Sequence, residues 1–237
     1  MQLIILAAGK SSRIFDDIEI NKCLIKYNNK SLIEKLINDS EKYFKKINIV
    51  VGFKPNLIKT NLKKQKKINF IKNDFYKSRE MLYSIILALK KMDDDVVISY
   101  SDIIVSKKIW PFLKKKVSNE ISIPTKINWK KTWNKRKKNI YDDAETLITN
   151  KKNYLIEIGK KIKKNQIIKS QFMGLLYIPK SMIRNIINLY NKNNLHKFQT
   201  TKFLQFLINK KIQIKTFPSN FFWYEIDDLI DLKQLKK

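Results

Sequence analysis

Four charged side chains stand where this chain could do chemistry on a phosphate: Arg13, Lys22, Asp102 and Asp227. Arg13 and Lys22 follow an apolar run, Leu3-Ile4-Ile5-Leu6, that gives way to Ala7, Ala8, Gly9, Lys10, Ser11 and Ser12. A buried strand ending in small residues lets backbone N–H groups approach a polyphosphate, and the two cations can neutralise its charge. Leu6, Ala7, Ala8, Gly9, Ser11 and Ser12 are the residues of that turn expected to touch it. Asp102 follows a second apolar run, Val96–Ser101, which sets a carboxylate at the carboxyl end of a strand, where open α/β sheets gather their ligands. Asp227 ends a third, Phe221–Ile226. Two carboxylates from distant segments could hold one Mg²⁺, because that ion completes its shell with water and substrate phosphates. Asp227 has a plainer alternative, since it or Asp228 could cap the last helix.

Two common phosphate binders are excluded. A Walker loop needs a glycine five residues before Gly9, where Ile4 stands inside the strand, and a dinucleotide fingerprint needs three glycines in six residues. A further cluster lies in the middle of the chain: Trp129, Trp133, Arg136, Tyr141, Asp142, Asp143 and Glu145. Aromatic faces and carboxylates together can hold an ammonium, and Arg136 can fork onto a phosphate. The alternative is a tryptophan-anchored hairpin whose acids pair with nearby lysines.

The string L-A-A-G-x-S-S-R with a later lysine, and the closing W-Y-E-I-D-D-x-x-D-L, resemble the signatures of nucleotidyltransferases that make sugar-nucleotides and CDP-alcohols. The intervening W-x-x-x-W-x-x-R, D-A-E-T-L, I-E-I-G-K-K and Q-F-M-G-L-L are similar to bacterial phosphocholine-type cytidylyltransferases, a subgroup that charges phosphorylated amino alcohols or amino-acid derivatives for surface glycans. The sequence departs from the wider pattern at Ser11, where a second glycine is common, and at Asn21, where a proline usually precedes the lysine. The resemblance implies CTP and a small phosphorylated acceptor as substrates and Mg²⁺ as cofactor, with Asp102 and Asp227 as its ligands. Arg13 and Lys22 are then catalytic, acting on the triphosphate. The family reads base and ribose from the segment equivalent to Asn73–Ser84, where Arg79 and Ser84 are the candidates. Trp129, Trp133, Arg136, Tyr141, Asp143 and Glu145 become the acceptor site. A sugar-1-phosphate nucleotidyltransferase and a non-catalytic RNA-binding protein remain the competing functions.

The formal charge of +29 would ordinarily suggest nucleic acid. The choice of base argues against a specific nucleic-acid site, because Arg13, Arg79, Arg136 and Arg184 are the only arginines among 50 basic residues, and arginine is the usual reader of phosphates and base edges. A single cysteine, Cys23, excludes an internal disulfide, and the N-terminus lacks a signal design, so cytoplasm is the expected location. The apolar runs fall short of the roughly 18 residues that span a bilayer, so no membrane insertion is expected. A homodimer is compatible with everything above.

The elements that must position these residues alternate. Ile47–Val51, Ile68–Ile71 and Asp95–Tyr100 read as strands. Helices are expected from Ser31 to Phe44, with Ser31 and Glu34 as a capping box, and then over Asn56–Lys64, Glu80–Lys91 and Lys107–Val117. Cys23–Tyr27 reads as a further short strand. Beyond Val117 the strands crowd together at Ile121–Ile127, Thr146–Thr149, Tyr154–Ile158 and Gln171–Ile178. Helices over Lys180–Asn191 and Gln199–Asn209, strands over Ile212–Phe217 and Phe221–Ile226, and a last helix from Asp228 complete the chain. The expected fold is α/β, a Rossmann-like, mostly parallel mixed sheet with helices on both faces, of the nucleotide-diphospho-sugar transferase type. One domain is expected, with a nucleotide lobe over 1–117, a β-rich acceptor insertion over 118–178, and closing elements over 179–237.

Overall fold

Residues 2–8 alternate between two apolar faces. Leu3, Ile5 and Ala7 join one core, and Ile4, Leu6 and Ala8 join another. A strand buried on both sides must lie inside a sheet covered by helices above and below. The computed structural model shows this arrangement, and it describes residues 1–10, 21–65, 67–136, 140–141, 143–163 and 165–235.

In chain order the elements are β1 (Gln2–Ala7), β2 (Lys26–Tyr27), β3 (Lys30–Ser31), α1 (Leu32–Ser40), β4 (Ile47–Val51), α2 (Pro55–Asn61), β5 (Ile68–Lys72), α3 (Met81–Leu89), β6 (Val96–Tyr100), β7 (Ile103–Val105) and α4 (Ile109–Lys116). There follow β8 (Ile121–Ile127), α5 (Trp129–Arg136), β9 (Glu145–Thr149), β10 (Leu155–Lys161), β11 (Ser170–Phe172), β12 (Leu175–Ile178), α6 (Lys180–Lys192), α7 (Thr200–Asn209), β13 (Ile214–Ser219), β14 (Trp223–Glu225) and α8 (Leu229–Leu235).

The central sheet runs β11-β8-β12-β6-β1-β4-β5, with β13 also paired to β8. The β6-β1-β4-β5 half is parallel, with Leu3 opposite Ile47 and Val97, whereas β12 runs antiparallel between β6 and β8. Helices α1 and α4 bury Ile33, Leu36, Ile37, Ile109 and Trp110 on one face. Helices α3, α6 and α7 bury Leu82, Ile85, Ile186, Phe203 and Leu207 on the other. The Ser31–Glu34 capping box that starts α1 is present, with Glu34 N–H donating to Ser31 Oγ at 3.2 Å and Ser31 N–H donating to Glu34 Oε2 at 2.8 Å.

Four elements differ from expectation. Cys23–Tyr27 is not one strand, because Lys22–Leu24 forms a 3₁₀ turn before the two-residue strand β2. The expected strand Gln171–Ile178 breaks between β11 and β12, where Gly174 has φ +70° and a Cβ would sit 3.0 Å from the Tyr100 ring. A side chain there would strain the backbone and meet that ring. Residues 129–136 form helix α5, which the tryptophan pattern did not announce. Ile103–Val105 forms strand β7, paired antiparallel with β14 outside the main sheet. Within 118–178, β8, β11 and β12 belong to the central sheet, and the β9–β10 hairpin stands apart from it.

Candidate active site

Three carboxylates and one ammonium meet at the carboxyl end of the parallel strands. Asp102 sits in the bend after β6, and Ile226 N–H donates to its carbonyl oxygen at 3.0 Å. The β7–β14 pairing sets Glu225 opposite Ile103 and so carries the end of β14 to Asp102. Glu225 ends β14 and Asp227 follows two residues later, and both carboxylates reach the same point. Asp102, Glu225 and Asp227 each offer one oxygen, and these oxygens lie within 4.8 Å of one another. Lys22 Nζ, presented by the 3₁₀ turn after β1, stands 3.4 Å from Asp102 Oδ2 and 3.2 Å from Asp227 Oδ1. Burial raises the Asp102 carboxyl above its ordinary value, Lys22 opposes that rise, and the Asp227 charge adds to it. An all-oxygen donor set of this compactness, already attracting one cation, fits a hard divalent ion such as Mg²⁺. Glu225 was missed in the sequence, although its two-residue spacing from Asp227 on a strand was the available signal.

Asp227 does not cap the last helix. Asp228 does, with Asp231 N–H donating to Asp228 Oδ1 at 2.9 Å and Asp228 N–H donating to Asp231 Oδ2 at 3.3 Å. This is a reciprocal box at the start of α8 built from two aspartates.

Two clefts flank Asp102. The first, of about 700 Å³, is lined by Leu6, Ala7, Gly9, Asn21, Lys22 and Cys23 on one wall and by Met81, Tyr100, Ser101 and Asp102 on the other. It is the cleft over the turn after β1. Ser11, Ser12 and Arg13 lie outside the described residues. Burial and the Asp102 charge push the Cys23 thiol up to about 12, so it stays protonated and unreactive at neutral pH.

The second cleft, of about 830 Å³, shares Met81, Tyr100 and Asp102 with the first. It adds Trp133, Asp143, Glu145, Gln171, Gln199 and Thr201 to Glu225 and Asp227. Five carboxylates thus line one cleft in a chain of net charge +29. Burial raises the Glu145 carboxyl, with the Asp143 charge adding and a hydrogen bond from Thr201 opposing.

The aromatic expectation needs correction. Trp129 is 2% exposed, and its indole N–H donates to Ile168 O at 2.9 Å, so it is a core residue and presents no face to a ligand. Trp133 stacks on Trp223 at 4.9 Å between centroids and meets Trp129 edge-on at 5.5 Å. Of the two predicted tryptophans, Trp133 alone reaches the cleft lining. Tyr141 is 43% exposed and does not line it. The Arg136 side chain and Asp142 lie outside what the structure describes.

The expected base and ribose readers are also displaced. Ser84 is buried, and its hydroxyl accepts from Asn73 Nδ2 at 2.9 Å. The Arg79 guanidinium lies 4.6 Å from the Phe75 ring centroid and 4.4 Å from that of Tyr83. Neither residue lines either cleft, and Met81, two residues on, does.

A mixed sheet whose parallel strands end beside a small-residue turn, a lysine and a set of converging carboxylates suits the transfer of a nucleotidyl group. Residues 3–127 match the MobA-like NTP transferase domain family, and the chain belongs to that family. Over the full length of both chains it is 32% identical to the CTP:phosphoglutamine cytidylyltransferase of Campylobacter jejuni. Two solved structures share the fold at low identity. The inositol-1-phosphate CTP transferase from T. maritima superposes with a TM-score of 0.78 at 17% identity, over 100% of this chain and 95% of that one. The CTP:phosphocholine cytidylyltransferase from Streptococcus pneumoniae gives 0.75 at 18% identity, over 99% and 97%. No described helix is long and apolar enough to cross a membrane.

Proposed function

We propose that the chain transfers CMP from CTP to a small phosphorylated acceptor and releases pyrophosphate. The observation that carries this reading is the position of Asp102, which lines both clefts and sits among Lys22, Glu225 and Asp227 at their junction. One cleft then takes the nucleotide, the other takes the acceptor, and the reacting phosphates meet at the charged cluster. The full-length likeness to a CTP-using enzyme supports the choice of nucleotide.

The reaction requires little acid–base chemistry from the protein. An acceptor phosphate oxygen, anionic at neutral pH, attacks the α-phosphorus of CTP in line. A P–O bond forms there as the bond to the bridging oxygen breaks, and pyrophosphate leaves with that electron pair. The work left to the chain is positioning and charge neutralisation. Lys22 supplies a cation beside the reacting phosphates and holds Asp102 and Asp227 close to one another. Arg13, outside the described residues, would add a second charge to the triphosphate. Asp102 and Asp227, with Glu225, would hold Mg²⁺, which supplies Lewis-acid stabilisation of charge on the α-phosphate.

The acceptor is a phosphorylated amine. The inner wall of the second cleft is acidic, with Asp143, Glu145 and Glu225 besides the two aspartates at the junction. Carboxylates of this kind hold an ammonium and repel a second anion. Phosphocholine, phosphoethanolamine and phosphorylated amino-acid derivatives carry such a group, whereas a sugar phosphate does not. Pyrophosphate release measured over a grid of CTP, UTP and dTTP against phosphocholine, phosphoglutamine and glucose 1-phosphate tests the assignment. Turnover is expected with CTP and one of the amines. Turnover of glucose 1-phosphate with UTP or dTTP, and none with CTP and an amine, would overturn it.

A further inference from the structure

The wall of the second cleft is rich in hydrogen-bond acceptors, and Gln171 adds one that carries no charge. Gln171 stands on β11, is 5% exposed, and lines the cleft beside Asp143 and Glu145. Its Nε2 donates to Glu145 O at 2.7 Å. A carbonyl oxygen only accepts, so this bond fixes which branch of the carboxamide is nitrogen and leaves Oε1 on the other. Oε1 has no hydrogen-bond partner among the described residues. It is not sealed in the interior either, because the unpartnered polar atoms without accessible surface belong to Asn21, Trp110, Ser122, Thr125 and Trp133. Gln171 Oε1 therefore keeps accessible surface, and the cleft that Gln171 borders is the second one. Open aromatic faces are scarce in that cleft. Trp129 is core, Trp133 is covered on one face by Trp223, and the Tyr100 ring packs against Gly174 and meets Phe172 edge-on at 5.9 Å. A trimethylammonium makes no hydrogen bond and is held by aromatic rings on several sides, whereas an ammonium with N–H groups is held by acceptors.

We propose that Gln171 is a specificity-determining residue whose Oε1, with the Asp143 and Glu145 carboxylates, accepts hydrogen bonds from N–H groups at the cationic end of the acceptor. The inference rests on the cytidylyltransferase reading above and narrows its acceptor to a phosphorylated amine that keeps at least one N–H. Carboxylates alone attract any cation, methylated or not. A neutral carboxamide oxygen discriminates, because exchanging N–H for N–CH₃ sets a methyl group against it and leaves a desolvated acceptor without a donor.

Pyrophosphate release by the full chain with CTP and two matched pairs of acceptors tests the assignment. The pairs are phosphoethanolamine against phosphocholine, and phosphoglutamine against its derivative trimethylated at the α-nitrogen, so that only methyl groups on nitrogen differ within a pair. In the pair it turns over, the wild type is expected to use the N–H member with a kcat/KM about ten-fold or more above that of the trimethyl member, the order expected for a hydrogen bond to a charged group. Gln171→Leu is expected to raise the KM for the N–H member about ten-fold and to erase most of the preference, with the KM for CTP nearly unchanged. Equal use of both members, or preference for the trimethyl member, would overturn the assignment while leaving CMP transfer intact, and this arm needs no variant to fold. Gln171→Leu that keeps the wild-type preference, or that weakens both members alike, would also overturn it. Turnover of none of the four acceptors would overturn both the assignment and the reading beneath it.

Discussion

The two clefts that meet at Asp102 are built in opposite ways. The first takes most of its described lining from two short pieces of chain, Leu6–Gly9 and Asn21–Cys23, with Met81 and the end of β6 opposite. Its lining mixes small residues with Lys22, Met81, Tyr100 and a single carboxylate, Asp102. The second draws one or two residues each from α5, the segment leading into β9, β11, the start of α7 and the end of β14. Its lining is dense in carboxylates. On the proposed reading the first cleft takes the nucleoside triphosphate, whose phosphates are the same in every member of a family, so a local segment suffices for it. An acceptor differs from enzyme to enzyme, and its site is assembled from the ends of many elements, each free to change without disturbing the sheet.

Asp102, common to both clefts, gives the sharpest test of that division. Asp102→Asn is expected to lower kcat about 10³-fold or more, through loss of charge at the point where both substrates react. The thermal midpoint should hold within a few degrees, because no core packing is removed. Lys22→Ala should follow, with a loss in kcat of about 10²-fold, as expected for one preorganised charge on the transition state. Pyrophosphate release with a parallel melt checks both. Near-wild-type turnover in either variant would remove that residue from the junction.

Trp129 and Glu145 break the comparison in a second way, by separating what holds the second cleft up from what faces its ligand. Trp129→Ala should cost about 3 kcal/mol or more of stability, the usual loss for a fully buried tryptophan. The variant that remains folded should keep its KM values. Glu145→Gln should leave stability nearly unchanged and raise the acceptor KM about ten-fold, since a hydrogen bond to a charged group is worth roughly 1.5–3 kcal/mol. The KM for CTP should stay put. Equal damage to both KM values would mean that Glu145 organises the junction and does not face the acceptor.

Both clefts were partly legible in the sequence: Leu6, Ala7, Gly9 and Lys22 line the first, and Trp133, Asp143 and Glu145 line the second. The first group is local, since Leu6, Ala7 and Gly9 follow one another at the end of β1 and Lys22 comes soon after in the sequence. The parallel strands were equally plain, because Ile47–Val51 and Val96–Tyr100 are unbroken apolar runs buried on both faces. Tertiary context decided the rest. Trp129 and Trp133 sit at helical spacing and resemble an aromatic box on paper, but the nearby third tryptophan, Trp223, draws them into a core stack. Ser84 carries a hydroxyl that suits a ligand, yet Asn73 claims it eleven residues away. Glu225 was overlooked because its role depends on β7, a three-residue strand too short to predict, which brings β14 beside Asp102.

The last test uses two adjacent aspartates that the sequence could not tell apart. Asp227 and Asp228 precede α8, and either could have been its cap. In the structure Asp228 holds the Asp231 N–H at 2.9 Å, and the buried Asp231 carboxylate accepts from the backbone N–H groups of Asp228 at 3.3 Å and Asp227 at 2.7 Å. The side chain of Asp227 instead faces Lys22. Asp228→Ala should therefore cost about 1 kcal/mol of stability, the typical loss of a helix cap, with turnover retained. Asp227→Asn should reverse the pattern and hold the melting temperature while losing turnover. A variant pair in which Asp227→Asn lowers the melting temperature and stays active would return Asp227 to the helix and leave the cluster to Asp102 and Glu225.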